Sequence, residues 1–348
     1  MTTDVGQSRP TTCLYREAEA AAAAVRRQLA ANAQQMDSLG SRLRQLKPRA
    51  VVTCARGSSD HAATFAKYLL ETRLGIVTAS AAPSVSSLYE AQPDLHDMVL
   101  LAISQSGASP DLLAAVDSAK AAGALVVALV NAQSSPLAQA ADCTIPLWAG
   151  IEQSVAATKT YIASLAAITH LVASWSADSH LLSELLQLPT LLERAWQLDW
   201  RAAIPRLQHA QHLYVVGRGL GLGIAQEAAL KLKETCGLHA EALSAAELLH
   251  GPIALVNVGF PVLVLAQSDE TLEGVAALAA QIAARGAEVL LAGAAAPGAL
   301  ALPVQRASPA LEPALLIQSF YRMVNDLALA RGYDPDHPPH LRKVTETV

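Results

Sequence analysis

The chain has 348 residues, which is enough for two domains of ordinary size. Hydrophobic residues make up 52% of it and charged residues only 16%, so it can bury a large core. Its 25 basic and 30 acidic residues leave a formal net charge of −5, which argues against a nucleic-acid-binding surface. Residues 1–13 lack a signal-peptide pattern and no apolar run is long enough to span a membrane, so we expect a cytoplasmic protein with no membrane partner.

Short apolar runs alternate with helical patterns along the chain. The first half predicts a helix over 14–46, strands over 50–54, 98–103 and 124–130, and helices over 61–74 and 111–122. After a helical region over 156–208, the second half predicts strands over 212–216, 261–266 and 288–292, a helix over 223–236, and a loose surface loop over 292–303. This alternation indicates βαβ units in a parallel sheet covered on both faces, which is an α/β fold.

The two halves share a register. The pairs Arg56-Gly57 and Gln105-Ser106 recur 162 residues later as Arg218-Gly219 and Gln267-Ser268. Agreement of two post-strand loops on one spacing favours a duplicated α/β domain. The alternative is a coincidence of glycine and serine in ordinary loops.

The loop over 104–109 carries Ser104, Gln105, Ser106 and Ser109, directly after a predicted strand and before a helix. Hydroxyls, a glycine and the free N–H groups of a helix N-terminus together suit a phosphate. The alternative is that these serines only cap the helix. The corresponding second loop carries Asp269 and Glu270, which would repel a phosphate, so we expect the first half to bind the anion.

Candidate acid–base groups lie on the predicted helix over 223–236 and just beyond it. Glu227, Lys231 and Glu234 follow one another at helical spacing, and His250 precedes a Gly-Pro pair. The spacing alone is equally typical of ordinary surface ion pairs and of a histidine at a helix C-terminus. Glu234 and His250 are therefore candidates for catalysis rather than assignments.

Other motifs do not predict a cofactor or a metal. The glycine-rich run over 217–223 has Leu222 where a dinucleotide fingerprint needs its last glycine, and prolines separate His337 from His340. Trp196 and Trp200, four residues apart, are expected in the core. The four cysteines lie far apart and predict neither a zinc site nor a disulfide framework.

Several of these motifs together resemble the sugar isomerase (SIS) family. The resemblance is in particular to the isomerase half of glucosamine-6-phosphate synthase and to the SIS-type glucosamine-6-phosphate deaminases. It covers about 45–348 and rests on residues 55–59, 104–107, 149–152, 157–159, 229–234, 239–241, 247–252, 334–338 and 343–345. The resemblance implies two tandem SIS domains, each a parallel sheet flanked by helices in a flavodoxin-like three-layer sandwich. The expected division is a helical segment at 1–45, a phosphosugar-binding domain at 46–200, a domain with the catalytic base at 201–330 and an active-site tail at 331–348.

The resemblance also implies roles. Glu234 would move a proton between C1 and C2 of the sugar, with Lys231 beside it, and Lys343 would close over the open-chain sugar. His250 would open the ring from the partner subunit of a homodimer. The substrate-binding residues implied are Gly57, Ser58, Ser59, Ser104, Gln105, Ser106, Ser109 and Val155. No metal and no cofactor are implied.

The expected activity is conversion of glucosamine 6-phosphate to fructose 6-phosphate and ammonia. Only about 45 residues precede the first predicted strand, so we expect no glutaminase domain. Arg56 replaces a cysteine of the synthase and Ala157 replaces a sugar-contacting serine. The alternatives are an aldose–ketose isomerase or deglycase for another sugar phosphate or aminosugar phosphate, a synthase-like aminotransferase/isomerase without a glutaminase, and a non-catalytic phosphosugar sensor.

Overall fold

Two five-stranded sheets, parallel throughout, organise the chain. The computed structural model describes residues 12–89 and 91–343. In the first sheet the strand order is β2-β1-β3-β4-β5. These strands are β1 (Ala50–Cys54), β2 (Thr78–Ser80), β3 (Met98–Ser104), β4 (Leu125–Val130) and β5 (Cys143–Pro146). The α/β fold class predicted from the alternating pattern is confirmed.

The second sheet has the same arrangement of strands as the first sheet. Its order is β10-β9-β8-β6-β7, which is the order of the first sheet read from the other edge. The strands are β6 (His212–Gly217), β7 (His239–Ser244), β8 (Pro261–Leu265), β9 (Glu288–Ala292) and β10 (Leu300–Leu302). The common order supports the predicted duplication. The expectation of a loose loop over 292–303 is wrong in part, because Leu300–Leu302 pairs in parallel with β9.

Fourteen α-helices are described within 12–89 and 91–343, and they cover the sheets. The predicted helix over 14–46 is broken at Ala20, whose ψ of −4° ends one helix before the next begins. The helices are α1 (Cys13–Glu19), α2 (Ala21–Leu46), α3 (Ser58–Leu74), α4 (Pro83–Ser87), α5 (Pro110–Ala121), α6 (Pro136–Ala140), α7 (Lys159–Ser176), α8 (Ser179–Leu185), α9 (Leu188–Gln197), α10 (Ile204–Leu207), α11 (Gly221–Cys236), α12 (Ala245–Leu249), α13 (Leu272–Ala284) and α14 (Glu312–Ala330). Short 3₁₀ turns cover Arg201–Ala203 and Pro252–Leu255.

The helices α7 and α14 are buried along nearly their whole length, so they belong to the core. Trp196 and Trp200 are buried with them, as expected. Helix α14 packs against α1 and α9 as well as α11. Both sheets lie within the ranges expected for the two domains, and the boundaries themselves stay a prediction. In the described part of the chain no helix is both long and apolar enough to cross a membrane.

A close contact between α3 and α11 joins the two halves. A Cβ atom added to Gly223 would lie 2.6 Å from the backbone oxygen of His61, so only glycine allows the two helices to approach this far. Gly223 lies in the first turn of α11, and the same packing brings Ser58, at the start of α3, against Glu227 and Lys231 further along α11. The packing therefore places side chains from both halves around one site.

Candidate active site

A pocket of about 380 Å³ lies where the carboxyl end of the first sheet meets α11 and the C-terminal segment. Ligands of open α/β sheets occupy this edge, because the strand ends and helix N-termini converge there. All the residues expected to bind substrate line it, and so do three of the four expected catalytic residues. The lining residues are Arg56, Gly57, Ser58, Ser59, Ile103, Ser104, Gln105, Ser106, Ser109, Leu112, Val155, Ala157, Leu230, Lys231, Glu234, Leu341, Arg342 and Lys343.

The loop over 104–109, called here the first cradle, turns sharply between β3 and α5. Gly107 has a φ of +63°, and a Cβ there would lie 2.2 Å from the Ser135 Oγ, so the turn requires glycine. The Ser104 Oγ accepts a hydrogen bond from the Gly107 N–H at 2.9 Å and holds the turn. Ser109 is the N-cap residue of α5, but its side chain makes no capping hydrogen bond. Its hydroxyl is therefore available to a ligand.

Lys231 lies at the centre of a buried charge cluster on α11. Its Nζ is 2.6 Å from Glu234 Oε2, 3.4 Å from Glu227 Oε1 and 3.2 Å from Ser58 Oγ. The side chain is 1% exposed. Burial alone lowers the pKa of Lys231, but the carboxylates of Glu227 and Glu234 outweigh burial and raise that pKa above its usual value. Lys231 is therefore a permanent cation at the floor of the pocket.

Glu227 is not the surface residue that its spacing from Lys231 suggests. Its side chain is fully buried and accepts hydrogen bonds from Tyr321 OH at 3.0 Å and Ser58 Oγ at 3.2 Å, and it contacts His61 Nδ1 at 3.0 Å. Burial raises the pKa of Glu227, but Lys231 and the hydrogen bond from His61 outweigh it and lower the pKa below its usual value. Glu227 thus holds Lys231 in place as a charged partner.

The sequence interpretation missed His61 and Tyr321. His61 lies on α3, one turn beyond the predicted loop at Arg56-Gly57, and Tyr321 lies on α14, 94 residues from Glu227. Burial, followed by the charge of Glu227, raises the pKa of Tyr321 well above its usual value, so Tyr321 stays a hydrogen-bond donor. No local pattern marks either residue, because both act through contacts that only the folded chain makes.

Glu234 is the carboxylate of this cluster that faces the pocket. Its side chain is 18% exposed, whereas that of Glu227 has no exposure. The Lys231 ammonium at 2.6 Å fixes the orientation of its carboxylate. Of the two candidate carboxylates on α11, only Glu234 can therefore reach a bound molecule.

The C-terminal segment closes one side of the pocket. Lys343 Nζ donates a hydrogen bond to the Ser154 backbone oxygen at 2.5 Å and lies 3.7 Å from Glu152 Oε2. Further back, the Asp336 carboxylate accepts hydrogen bonds from the backbone N–H groups of Cys13 and Leu14. The tail is thus attached at both points. Residues 344–345, which also belong to the expected tail motif, lie outside the described residues.

His250 does not line the pocket of its own chain. It is exposed at the C-cap of α12, and apolar side chains beside it are also exposed: Leu249 by 50%, Leu255 by 59% and Val258 by 82%. The single chain therefore does not unite His250 with Glu234. The expected contribution of His250 from a second subunit stays a prediction.

The corresponding loop of the second half, over 267–270, is called here the second cradle. It binds a carboxylate of the same chain. The Ser268 N–H and Oγ donate hydrogen bonds to Glu312 at 2.7 and 2.8 Å, and Arg306 Nη1 lies 3.4 Å from the same carboxylate. Asp269 accepts hydrogen bonds from Thr271. The sequence expectation attributed the lack of an anion site here to Asp269 and Glu270. In the structure Glu312 occupies the site.

The two rival motifs have structural explanations. In the glycine-rich run, a Cβ on Gly217 would lie 2.3 Å from the Gly221 backbone oxygen, so these glycines allow close packing of β6 on α11. His337 Nδ1 lies 2.8 Å from Asp334 Oδ2 on the surface. In the part of the chain that the structure describes, His, Cys, Asp and Glu form no group of three that could hold a metal ion.

Comparison with known proteins places this geometry in a family. The SIS domain model matches residues 46–174 and 206–294. The chain belongs to the SIS domain family. This SIS protein is 38% identical over 315 residues to a glutamine–fructose-6-phosphate aminotransferase (isomerizing) from Aeropyrum pernix, covering 84% of this chain and 50% of the relative. It spans about half the length of the curated relatives that it matches.

Solved structures share the whole fold. A putative phosphosugar isomerase from Silicibacter pomeroyi has a TM-score of 0.90 and 44% identity, covering 93% of this chain and all of the other. A glucosamine-6-phosphate deaminase from Thermotoga maritima has a TM-score of 0.77 at 21% identity, covering 97% of this chain and all of the other. At that identity the second likeness concerns the fold alone.

Proposed function

We propose that this SIS protein is an aminosugar-phosphate deaminase that converts glucosamine 6-phosphate and water to fructose 6-phosphate and ammonia. The observation that carries the proposal is the placement of Glu234 and Lys231 in the same pocket as the first cradle. A phosphate held at the first cradle leaves the sugar carbons to face α11. The names of the relatives from Aeropyrum pernix and Silicibacter pomeroyi agree with a phosphosugar as substrate.

The proposed chemistry is a proton transfer followed by hydrolysis. In the open-chain sugar, the Glu234 carboxylate removes the proton from C2, and the electron pair forms a C1–C2 double bond as the C1 oxygen gains a proton. A proton then adds to C1 and the C2 nitrogen loses a proton, which gives the C2 imine of fructose 6-phosphate with its C1 hydroxyl retained. Water adds to C2 and ammonia leaves. Lys231 positions Glu234, and Lys343 closes the pocket against bulk water.

Ring opening is proposed to need a homodimer. His250 is exposed, and the apolar side chains of Leu249, Leu255 and Val258, which are near it in the sequence, are exposed as well; this composition favours an interface over a solvated surface. Mixing Glu234→Gln and His250→Ala chains tests this arrangement. If His250 acts across the interface, each mixed dimer regains one intact site and an equal mixture recovers about a quarter of the wild-type activity. A mixture as inactive as its components would contradict the proposal.

The decisive experiment incubates the protein with glucosamine 6-phosphate and measures ammonia and fructose 6-phosphate. Glu234→Gln is expected to lower kcat by about 10²–10⁴-fold, the usual contribution of a general base. Glu273→Gln is the matched control, because Glu273 is an exposed carboxylate at the start of α13. Full activity of Glu234→Gln would overturn the mechanism, and binding without turnover of any phosphosugar would indicate a sensor.

A second candidate is an aldose–ketose isomerase or deglycase for another sugar phosphate or aminosugar phosphate. Two pocket residues favour it, because Arg56 and Ala157 both line the cavity and both depart from the synthase pattern. Turnover of such a substrate without release of ammonia from glucosamine 6-phosphate would establish this candidate and exclude the first.

A further inference from the structure

An ion pair stands at the mouth of the pocket beside the first cradle. The Arg56 Nε and Nη2 atoms lie 2.8 and 2.7 Å from Asp111 Oδ2. The Arg56 side chain is 53% exposed and lines the pocket, whereas Asp111 is 1% exposed. Asp111 belongs to the first turn of α5, two residues after Ser109 of the first cradle. The pair thus joins the loop after β1 to the helix that a phosphate would face.

The first cradle itself contains no cation. It offers hydroxyls, an amide and backbone N–H groups, and the buried Asp111 carboxylate next to it opposes an anion. Arg56 offsets that carboxylate. Among the described residues, Arg56 Nη1 has no hydrogen-bond partner, so one arm of the guanidinium remains able to donate to a phosphate in the same pocket.

The other buried or half-buried cations of the pocket are already held by carboxylates. Lys231 contacts Glu227 and Glu234, and Lys343 faces Glu152. Arg342 also lines the pocket, on the exposed C-terminal segment. Arg56 differs from these cations because its carboxylate partner, Asp111, lies two residues from Ser109 of the first cradle.

We propose that Arg56 is a further phosphate-binding residue of this site and that Asp111 reduces the affinity of Arg56 for the phosphate. Asp111 fixes the guanidinium at the rim and at the same time cancels part of its charge. The inference rests on the proposed phosphosugar function, since it assigns the phosphate end of that substrate. It leads to effects of opposite sign for the two partners, which a purely structural ion pair would not produce.

The test measures binding of inorganic phosphate by calorimetry, together with KM and kcat for glucosamine 6-phosphate. Arg56→Met removes the cation, so we expect the dissociation constant for phosphate and the KM for the sugar phosphate each to rise by about ten- to a hundred-fold, with little change in kcat. Asp111→Asn keeps an oxygen acceptor for Arg56 but removes the opposing charge, so we expect phosphate to bind a few-fold more tightly. Arg56→Lys is expected to restore part of the affinity.

Arg26→Met is the matched control, because Arg26 is also 53% exposed and paired with a carboxylate, but lies away from the pocket. It should leave phosphate binding unchanged. Weaker phosphate binding in both Arg56→Met and Asp111→Asn, or no change in either, would overturn the inference. If wild-type protein binds phosphate and Ser106→Ala abolishes that binding, the first cradle is a phosphate site independently of the result for Arg56. If wild-type protein binds none, the proposed function fails together with the inference.

Discussion

The two cradles occupy the same place in two copies of one fold, but the first lines a pocket and the second is filled by a side chain. Each follows the central strand of its sheet, β3 or β8, and each contains a Gln-Ser pair. The first cradle lines an open pocket, whereas Ser268 of the second cradle binds the buried carboxylate of Glu312. The comparison shows that a loop of this kind is open to a ligand only where no side chain of the same chain accepts its hydrogen bonds.

Helix α14 connects the second cradle to the charge cluster on α11. Glu312 lies in the first turn of α14, and Tyr321 on the same helix donates its hydrogen bond to Glu227. Glu227 in turn holds Lys231 beside Glu234. In the proposed mechanism the second half therefore supplies the acid–base residues, and the first half supplies the phosphate end of the pocket. Glu227 is supported from both halves, by Tyr321 and by Ser58 and His61.

The largest expected effect tests that support. Glu227→Gln removes the fully buried partner of Lys231 and leaves the part-exposed Glu234 to balance its charge, so we expect the free energy of unfolding to fall by about 3 kcal/mol, the lower end for a broken buried pair, and kcat to fall with it. Chemical denaturation and steady-state kinetics measure the two quantities. Glu193→Gln is the control, since it breaks an exposed ion pair with Arg26 that contributes about 0–1 kcal/mol. Equal effects of the two variants would show that the buried cluster is unimportant.

The pH dependence of that stability difference follows from the pKa directions. The lowered pKa of Glu227 means that its contribution is present above its usual value of 4.5 and is lost as the pH falls through its lower folded-state value. The raised pKa of Lys231 means that its contribution is present below 10.5 and is lost only as the pH rises through its higher folded-state value. The difference between wild type and Glu227→Gln should therefore be widest near neutral pH and narrow in strong acid. A difference that is constant from neutral to strongly acidic pH would contradict this assignment.

A smaller effect compares the two cradles directly. Ser106→Ala removes a hydroxyl that faces the pocket, so KM for the sugar phosphate should rise by about ten- to a hundred-fold. Ser268→Ala removes a donor to Glu312, so it should lower thermal stability and leave KM unchanged. A rise in KM for both variants would break the distinction between an open and a closed cradle.

Removing the Glu312 carboxylate from the second cradle tests further whether the two cradles differ only in what fills them. Glu312→Ala leaves the Ser268 N–H and Oγ without their acceptor, which should cost about 1–3 kcal/mol of stability. Formate should restore part of that stability by entering the vacated position beside Arg306. Glu288→Ala is the control, because Glu288 forms an ion pair with Arg206 at the surface. Equal responses of both variants to formate would show that no anion site exists at Ser268.

The smallest expected effect concerns Asp269 and Glu270, which the sequence analysis expected to repel a phosphate. Asp269→Asn with Glu270→Gln should change stability by about 0.5–1 kcal/mol, through the hydrogen bonds that Asp269 accepts from Thr271. It should not create phosphate binding at the second cradle, because Glu312 still fills it. Calorimetry with inorganic phosphate in a Ser106→Ala background tests this without interference from the first cradle. New phosphate binding in that background would restore the repulsion hypothesis.

The sequence by itself determined the α/β class, the strands buried on both faces, the duplication and the first cradle, because each depends on local periodicity or on one loop between a strand and a helix. It also brought Lys231 and Glu234 together, since residues three apart share a helix face. It missed β2, β5, β7 and β10, of which β2, β5 and β10 are too short for a periodic pattern. Only the tertiary structure decided that Glu227 is buried, that Tyr321 and His61 hold it, and that Glu312 closes the second cradle. These contacts join residues 44 to 166 positions apart, and the burial that gives them their strength exists only when the helices pack.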